Sequence, residues 1–256
     1  MKRSTLPAIG LTAAALLLAA TGCGSDPASD PATGTPTGTA AAAEDFGCLT
    51  PEQAAAGSTR LAVPGGDVGA YYRGPDTGKA TVGLVLAPQA GGSLCDWQPH
   101  YAEFTAAGYA VVGWMVSGGG PGDVRAAMTL LKSKGVTSVA LVGASKGASA
   151  ALETAADPAG APLPVKAVVS LSSPDGYPGE SNAAKAVLTG TVPTFFAAEE
   201  GDGRFPETAR QLHDTAVAPV KQLKLYPGGN HGAALLADGA LPDVRAFLAA
   251  HAPARG

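Results

Sequence analysis

Ser145 lies at the centre of the pentapeptide GASKG, residues 143–147. The apolar run VALV precedes it and the small residues ASAAL follow it, a pattern that predicts a strand, a tight turn and a helix. Glycines on both sides of the serine suit a strained turn, because side chains there would collide with the neighbouring strand and helix. We therefore predict that Ser145 is a nucleophile; the alternative is a purely structural turn.

A serine hydroxyl becomes nucleophilic when a base removes its proton and an acid orients that base. His231 is the predicted base, because it lies in the Gly-rich loop PGGNHG that directly follows the last predicted strand. His213 and His251 fall in predicted helices, on faces expected to be solvated. His100 follows a proline near the start of a predicted helix.

Asp202 is the predicted acid, because it lies in the loop that follows the penultimate strand. Three other carboxylates remain alternatives. Glu199 and Glu200 lie just before Asp202, and Asp175 follows the strand before that one.

A tetrahedral intermediate also needs hydrogen-bond donors for its oxyanion. The backbone N–H of Lys146 is one predicted donor, because it follows the nucleophile and begins a helix, where the helix dipole favours negative charge. The second donor is expected from PQAGGS, residues 88–93, in the loop after the third strand. The side chain of Lys146 is expected to point to solvent. A Ser-x-x-Lys mechanism is not supported, because Ala148 occupies the fourth position.

Predicted strands and helices alternate along the chain, as a parallel sheet requires. A hairpin over 59–63 and 68–73 precedes strands predicted at 81–87, 109–116, 138–142, 165–171, 193–198 and 220–225. Helices are predicted at 97–107, 123–134, 146–156, 206–216 and 241–251. The expected fold class is α/β, with a doubly wound, mostly parallel sheet of about eight strands, antiparallel at its first edge. Ligands of such sheets bind at the carboxyl ends of the strands, where the three predicted residues fall.

These features resemble the α/β-hydrolase superfamily over about residues 59–251, and within it the dienelactone-hydrolase-like proteins and small serine esterases. The segments with the resemblance are LAPQAGGS (86–93), GYAVV (108–112), GASKG (143–147), the run 193–202 and NHG (230–232). The resemblance implies that fold and hydrolysis of an ester, lactone or thioester through an acyl-enzyme. The family's order of nucleophile, acid and base matches Ser145, Asp202 and His231.

The resemblance also implies that the backbone of Ala90 supplies the second oxyanion donor. The chain departs from the family here, because many members have His-Gly where this sequence has Pro88-Gln89. The segment from 165 to 193 is too short for a large lid domain.

The N-terminal residues have the pattern of an export signal. Lys2 and Arg3 precede an apolar stretch of about 13 residues, where about 20 are needed to span a bilayer. The residues ATGC that follow resemble a bacterial lipobox, which predicts a lipoprotein signal peptide at 1–22, lipidation of Cys23 and an extracytoplasmic, membrane-anchored protein. Ordinary signal cleavage with an unmodified Cys23 is the alternative. Residues 23–46 are rich in Gly, Thr, Pro and Ala and predict a flexible tether, leaving 47–256 as the hydrolase domain.

Two further cysteines, Cys48 and Cys95, are predicted to form a disulfide, because an exported protein enters an oxidising compartment. Two buried free thiols are the alternative. The net charge of −4, with no basic cluster beyond the start, argues against nucleic acid as a partner. The sequence has no pattern of metal ligands and no phosphate-binding loop, so neither a metal nor a cofactor is expected.

The expected partner is a small ester-type substrate. Two rival functions remain open: a non-catalytic binding lipoprotein on a hydrolase scaffold, and an acyltransferase that uses the same three residues.

Overall fold

The computed structural model of the chain describes residues 43–115 and 118–254. The predicted signal peptide at 1–22, Cys23 and most of the predicted tether lie outside these residues. The last residues of the tether contact the domain: Ser58 Oγ donates to the carbonyl of Glu44, and Phe46 packs against the hydrophobic core.

A sheet of eight strands forms the centre of the described residues, in the order β1-β2-β4-β3-β5-β6-β7-β8. The strands are β1 (Ser58–Val63), β2 (Gly66–Arg73), β3 (Val82–Ala87), β4 (Ala110–Trp114), β5 (Ser138–Ala144), β6 (Val165–Leu171), β7 (Thr194–Glu199) and β8 (Lys221–Tyr226). β2 is antiparallel to both β1 and β4, and every other pairing is parallel. The predicted mostly parallel sheet with an antiparallel first edge is confirmed.

Helices cover both faces of this sheet. They are α1 (Pro51–Gly57), α2 (Leu94–Trp97), α3 (Tyr101–Ala106), α4 (Pro121–Ser133), α5 (Lys146–Ala156), α6 (Ala183–Ala186), α7 (Phe205–Thr215) and α8 (Leu241–His251), with 3₁₀ turns at Gln98–His100 and Gly232–Leu236. The continuous helix predicted at 97–107 is wrong: it is α2, a 3₁₀ turn and α3. A capping box of Ser93 and Asp96 starts α2 early, and Pro99 lacks the N–H that would continue it. None of the helices between residues 43 and 254 is long and apolar enough to span a bilayer.

Alternation along the strands builds a core on each face of the sheet, because successive side chains point to opposite sides. In β3, Leu84 and Leu86 belong to one hydrophobic cluster, whereas Val85 and Ala87 belong to the other. Helix residues of the first cluster include Trp97, Tyr101, Phe104, Phe247 and Leu248, from α2, α3 and α8. Those of the second include Met128, Leu131, Leu152 and Leu212, from α4, α5 and α7. The sheet is thus held rigidly between two helix layers, which fixes the positions of its strand ends.

A disulfide joins Cys48 to Cys95, with the two Cα atoms 5.7 Å apart. Cys95 lies in α2, the helix that follows the loop after β3. The bond therefore ties the start of the domain to the carboxyl edge of the sheet.

Candidate active site

Ser145 lies at a sharp turn between β5 and α5, where it is the N-cap residue of the helix. Its backbone has φ 48° and ψ −115°, a conformation that non-glycine residues rarely adopt and that costs about 1–3 kcal/mol. Its N–H donates to the carbonyl of Leu171 at 2.8 Å, which fastens the turn to the end of β6. The serine is thereby presented at the carboxyl edge of the sheet.

The two glycines of the turn are required by close packing. A Cβ on Gly143 would lie 2.5 Å from the Cα of Ala148 and 2.6 Å from its nitrogen, in the first turn of α5. A Cβ on Gly147 would lie 2.6 Å from the carbonyl oxygen of Pro88, in the loop after β3. Real Cβ contacts are not this short, so both positions exclude a side chain, as the sequence analysis expected.

Asp202 and His231 meet at the same edge of the sheet. Nδ1 of His231 lies 2.8 Å from Oδ2 and 3.0 Å from Oδ1 of Asp202. An ionised carboxylate can only accept, so Nδ1 carries the proton and Nε2 is left free to accept one. The Asp202 side chain is 9% exposed and that of His231 is 31% exposed, so the acid is shielded while the imidazole reaches solvent.

The loop of His231 packs directly against the turn of the serine. A Cβ on Gly232, the next residue, would lie 3.1 Å from the Cβ of Ala144, the residue before Ser145. No hydrogen bond joins Ser145 Oγ to His231, nor to any other residue of the described chain. The hydroxyl is therefore free of competing partners, and catalytic hydrogen bonds commonly tighten only when substrate binds.

Ser172, which the sequence analysis did not single out, completes the arrangement around the acid. Its hydroxyl donates to Oδ2 of Asp202 at 2.7 Å and accepts the N–H of Gly232 at 3.1 Å. Ser172 is fully buried and directly follows β6. A signal existed, because polar residues that directly follow a buried strand of a parallel sheet lie at its carboxyl edge.

The alternative acids occupy other positions. Glu199 is fully buried at the end of β7, and its Oε2 accepts the N–H of Asn230 at 2.6 Å. This hydrogen bond therefore ties the loop of His231 to the end of β7. Glu200 and Asp175 are exposed to solvent.

The three other histidines lie away from this site. His213 and His251 are half-buried, because their rings lie near those of Phe196 and Phe247, with centroids 6.1 and 4.6 Å apart, so they are only partly solvated. His100 is buried, and desolvation lowers the pKa of its imidazole below the usual value.

The sequence analysis predicted two backbone N–H groups as oxyanion donors. That of Lys146 is the first of α5, where helix geometry provides no acceptor. That of Ala90 is in the exposed turn after β3. Neither donates a hydrogen bond within residues 43–115 and 118–254.

Gln89 links the loop after β3 to the histidine loop. Its Oε1 accepts the N–H of Ala233 at 3.2 Å, and a Cβ on Gly232 would overlap the same oxygen. The Gln89 side chain therefore joins the loop after β3 to the loop of His231.

The side chain of Lys146 is buried, which contradicts the expected solvent-facing orientation. Its Nζ lies 2.5 Å from Oε2 of Glu180 and 4.4 Å from the centroid of the Tyr177 ring, and only 10% of the side chain is exposed. The loop that supplies both partners follows β6. The ammonium therefore contacts both a carboxylate and an aromatic ring of that loop.

That loop, residues 173–182, is held along one face of α5. Three residues of α5 at positions i, i+3 and i+7 bind three consecutive residues of the loop. They are Lys146, Ser149 and Glu153. Beside the ion pair, Ser181 Oγ donates to Ser149 Oγ at 2.8 Å and the N–H of Asn182 donates to Glu153 at 2.7 Å. These three polar contacts fasten the loop to α5.

Phe205, at the start of α7, packs on the imidazole of His231 with ring centroids 4.3 Å apart.

The arrangement can perform nucleophilic chemistry: a serine at a strained turn, an imidazole with one free nitrogen, a shielded carboxylate and two unpaired N–H groups. Among the residues that the structure describes, no group of three or more His, Cys, Asp or Glu could hold a metal ion.

Comparisons with solved structures identify the fold. The esterase domain of a Rhodothermus marinus protein matches with a TM-score of 0.58 and 21% identity, over 74% of this chain and 97% of that one. An α/β serine hydrolase homologue from Coxiella burnetii matches with a TM-score of 0.57 and 19% identity, over 75% and 94%. A Xanthomonas campestris α/β serine hydrolase without a lid matches with a TM-score of 0.56 and 16% identity, over 75% and 91%. No protein-family model matches the sequence, and no curated protein matches it.

Proposed function

We propose that this chain, which has the α/β-hydrolase fold, is a serine hydrolase that cleaves a carboxylic ester, lactone or thioester. The observation with the most weight is the hydrogen bond of 2.8 Å between Asp202 and His231, in a loop packed against the strained turn of Ser145. The similar solved structures described as esterases and serine hydrolases support the same reaction class.

In the proposed reaction, Nε2 of His231 takes the proton of Ser145 as Oγ attacks the carbonyl carbon. The N–H groups of Lys146 and Ala90 stabilise the oxyanion that forms. The intermediate collapses to an acyl-serine when the bond to the leaving alcohol or thiol breaks, and His231 gives that group its proton.

Water then repeats these steps on the acyl-enzyme. His231 accepts a proton of the water, the hydroxide adds to the acyl carbon, and Ser145 leaves with the proton that His231 returns. Asp202 remains ionised throughout and stabilises the imidazolium that forms in each half of the reaction. No cofactor is part of this scheme.

We further propose that the protein works outside the cytoplasm, anchored to the membrane by a lipid on Cys23. The N-terminal residues with the pattern of a lipoprotein signal support this location. The Cys48–Cys95 disulfide agrees with it, because disulfides persist in oxidising compartments.

Kinetics with p-nitrophenyl esters of increasing acyl length test the proposal. Asp202→Asn should lower kcat about 10,000-fold, because the imidazole loses the partner that fixes its tautomer. Asp175→Asn is the matched control, because this exposed carboxylate follows the neighbouring strand, and its kcat should stay within about twofold of wild type.

Equal activity of the Asp202→Asn variant and wild type would contradict the assignment of the acid. A wild-type protein that releases more than one equivalent of nitrophenol only when an alcohol acceptor is present would be an acyltransferase.

A further inference from the structure

A hydroxyl that is neither nucleophile nor oxyanion donor contacts both the acid and the loop of the base. We propose that Ser172 is a positioning residue of the active site, which holds Asp202 in line with His231 and holds the histidine loop beside Ser145. This inference rests on the proposed function and adds a residue that the three-residue scheme lacks.

The hydrogen bonds of Ser172 assign its proton. The N–H of Gly232 can only donate, so the hydroxyl oxygen is the acceptor in that contact of 3.1 Å. A hydroxyl has one proton, and Oδ2 of Asp202 at 2.7 Å is the acceptor available to it. The carboxylate oxygen that is closest to His231 Nδ1 is therefore also the one that Ser172 fixes.

The backbone of Ser172 is itself held in place. Its N–H donates to the carbonyl of Ala197 in β7 at 2.7 Å, and its φ is 49°, in the left-handed region that non-glycine residues seldom adopt. Such strain persists only where the surroundings determine the conformation, and it is concentrated at functional sites. Ser172 is 0% exposed, so water does not compete for its hydroxyl.

Ser172 thereby connects the ends of three neighbouring strands. It follows β6, it bonds Asp202 beyond the end of β7, and it bonds the backbone next to His231 beyond the end of β8. The distance between the acid loop and the base loop thus depends on one buried side chain.

Ser172→Ala removes the donor to Oδ2 and the acceptor of Gly232 N–H. A hydrogen bond to a charged group contributes enough to predict a fall in kcat of about 10- to 100-fold. KM should stay within about twofold, because Ser172 is buried behind the acid and contacts no surface open to substrate. The carboxylate keeps more of its charge without this donor, so the hydrogen bond that it accepts from His231 Nδ1 changes, and the NMR signal of the Nδ1 proton should shift.

Other charged groups near this network are unchanged in the variant. They are Glu199, which accepts from Asn230 N–H; Asp238, which accepts from the Asn230 side chain; and Arg204, whose guanidinium lies 5.7 Å from the Phe205 ring that covers His231.

Ser173→Ala is the matched control. Ser173 is the next residue, it is 2% exposed, and its hydroxyl donates to the carbonyl of Pro174 at 2.9 Å and not to Asp202 or His231. The purified wild type and both variants are compared by kcat and KM for one p-nitrophenyl ester and by the NMR signal of the Nδ1 proton of His231. Thermal unfolding checks that each variant is folded; if Ser172→Ala is not, Ser172→Gly replaces it, since glycine relieves the positive φ.

A loss in kcat and a shifted Nδ1 proton signal of His231 in Ser172→Ala, both absent from Ser173→Ala, would support the inference. Equal kcat and an equal Nδ1 proton signal in the two variants would overturn it, as would an equal loss in both. If wild type hydrolyses no ester, the proposed function fails, while the Nδ1 proton signal still decides whether Ser172 positions the Asp202–His231 pair.

Discussion

Removing the Cys48–Cys95 disulfide should destabilise the domain by about 4 kcal/mol. The bond closes a loop with a sequence separation of 47, and the chain-entropy relation gives about 4 kcal/mol for a loop of this length. For a domain of this size, each kcal/mol corresponds to about 2–4 °C in Tm, so the midpoint should fall by about 8–16 °C.

Urea unfolding of wild type and Cys48→Ser/Cys95→Ser measures this difference. Trp97 and Trp114 are both fully buried, so their fluorescence reports loss of the core. Wild type treated with a thiol reductant should unfold at the midpoint of the double variant, and the variant should not respond to the reductant.

The unfolded variant should also expand, which would raise the dependence of the unfolding free energy on urea. A double variant with an unfolding free energy within about 1 kcal/mol of oxidised wild type would refute the loop-closure argument.

Three further changes test other parts of the structure. Gly147→Ala should lower the free energy of unfolding by at least about 3 kcal/mol or prevent folding, because its Cβ would overlap backbone carbonyls at the end of β3. Gly118→Ala is the control, because its Cβ enters open space, and the urea midpoints of the two variants are compared. Glu180→Gln should destabilise by about 1–3 kcal/mol, because it leaves the buried ammonium of Lys146 without a counter-charge, and amide exchange of residues 173–182 should quicken. Burial lowers the pKa of His100 in the folded protein, so folding favours the neutral imidazole. The stability that this residue contributes is complete above pH 6.5, its pKa in the unfolded chain, and is lost as the pH falls through the folded pKa. His100→Phe should remove this loss of stability in acid, as measured by urea unfolding at different pH values.

The sheet and the sharp turn at Ser145 could be predicted because their signals are local. Apolar runs such as 139–142 and 165–171 are buried strands, and the glycines around Ser145 are needed by the same turn that the pattern indicates. Because Asp202 and His231 both lie in loops that follow predicted strands, the sequence also indicated that they would lie at the carboxyl edge of the sheet. Their mutual hydrogen bond depends on loop conformations that no local pattern encodes.

Contacts between distant loops could not be predicted. The burial of Lys146 depends on Glu180, 34 positions away on a loop without regular structure apart from one bridge. Ser172 likewise bonds residues 30 and 60 positions away. Helix α2 was missed because its four residues are too few for a periodic pattern, although its capping box is present in the sequence.

The most direct test of the central claim is covalent labelling of the purified protein with a fluorophosphonate, followed by peptide mass spectrometry. The account predicts one adduct, on Ser145, and loss of this adduct in His231→Ala, because the hydroxyl then has no base to activate it. A folded wild type without an adduct, or with an adduct on another serine that persists in His231→Ala, would contradict the assignment of Ser145 and His231 and favour a non-catalytic binding protein on this fold.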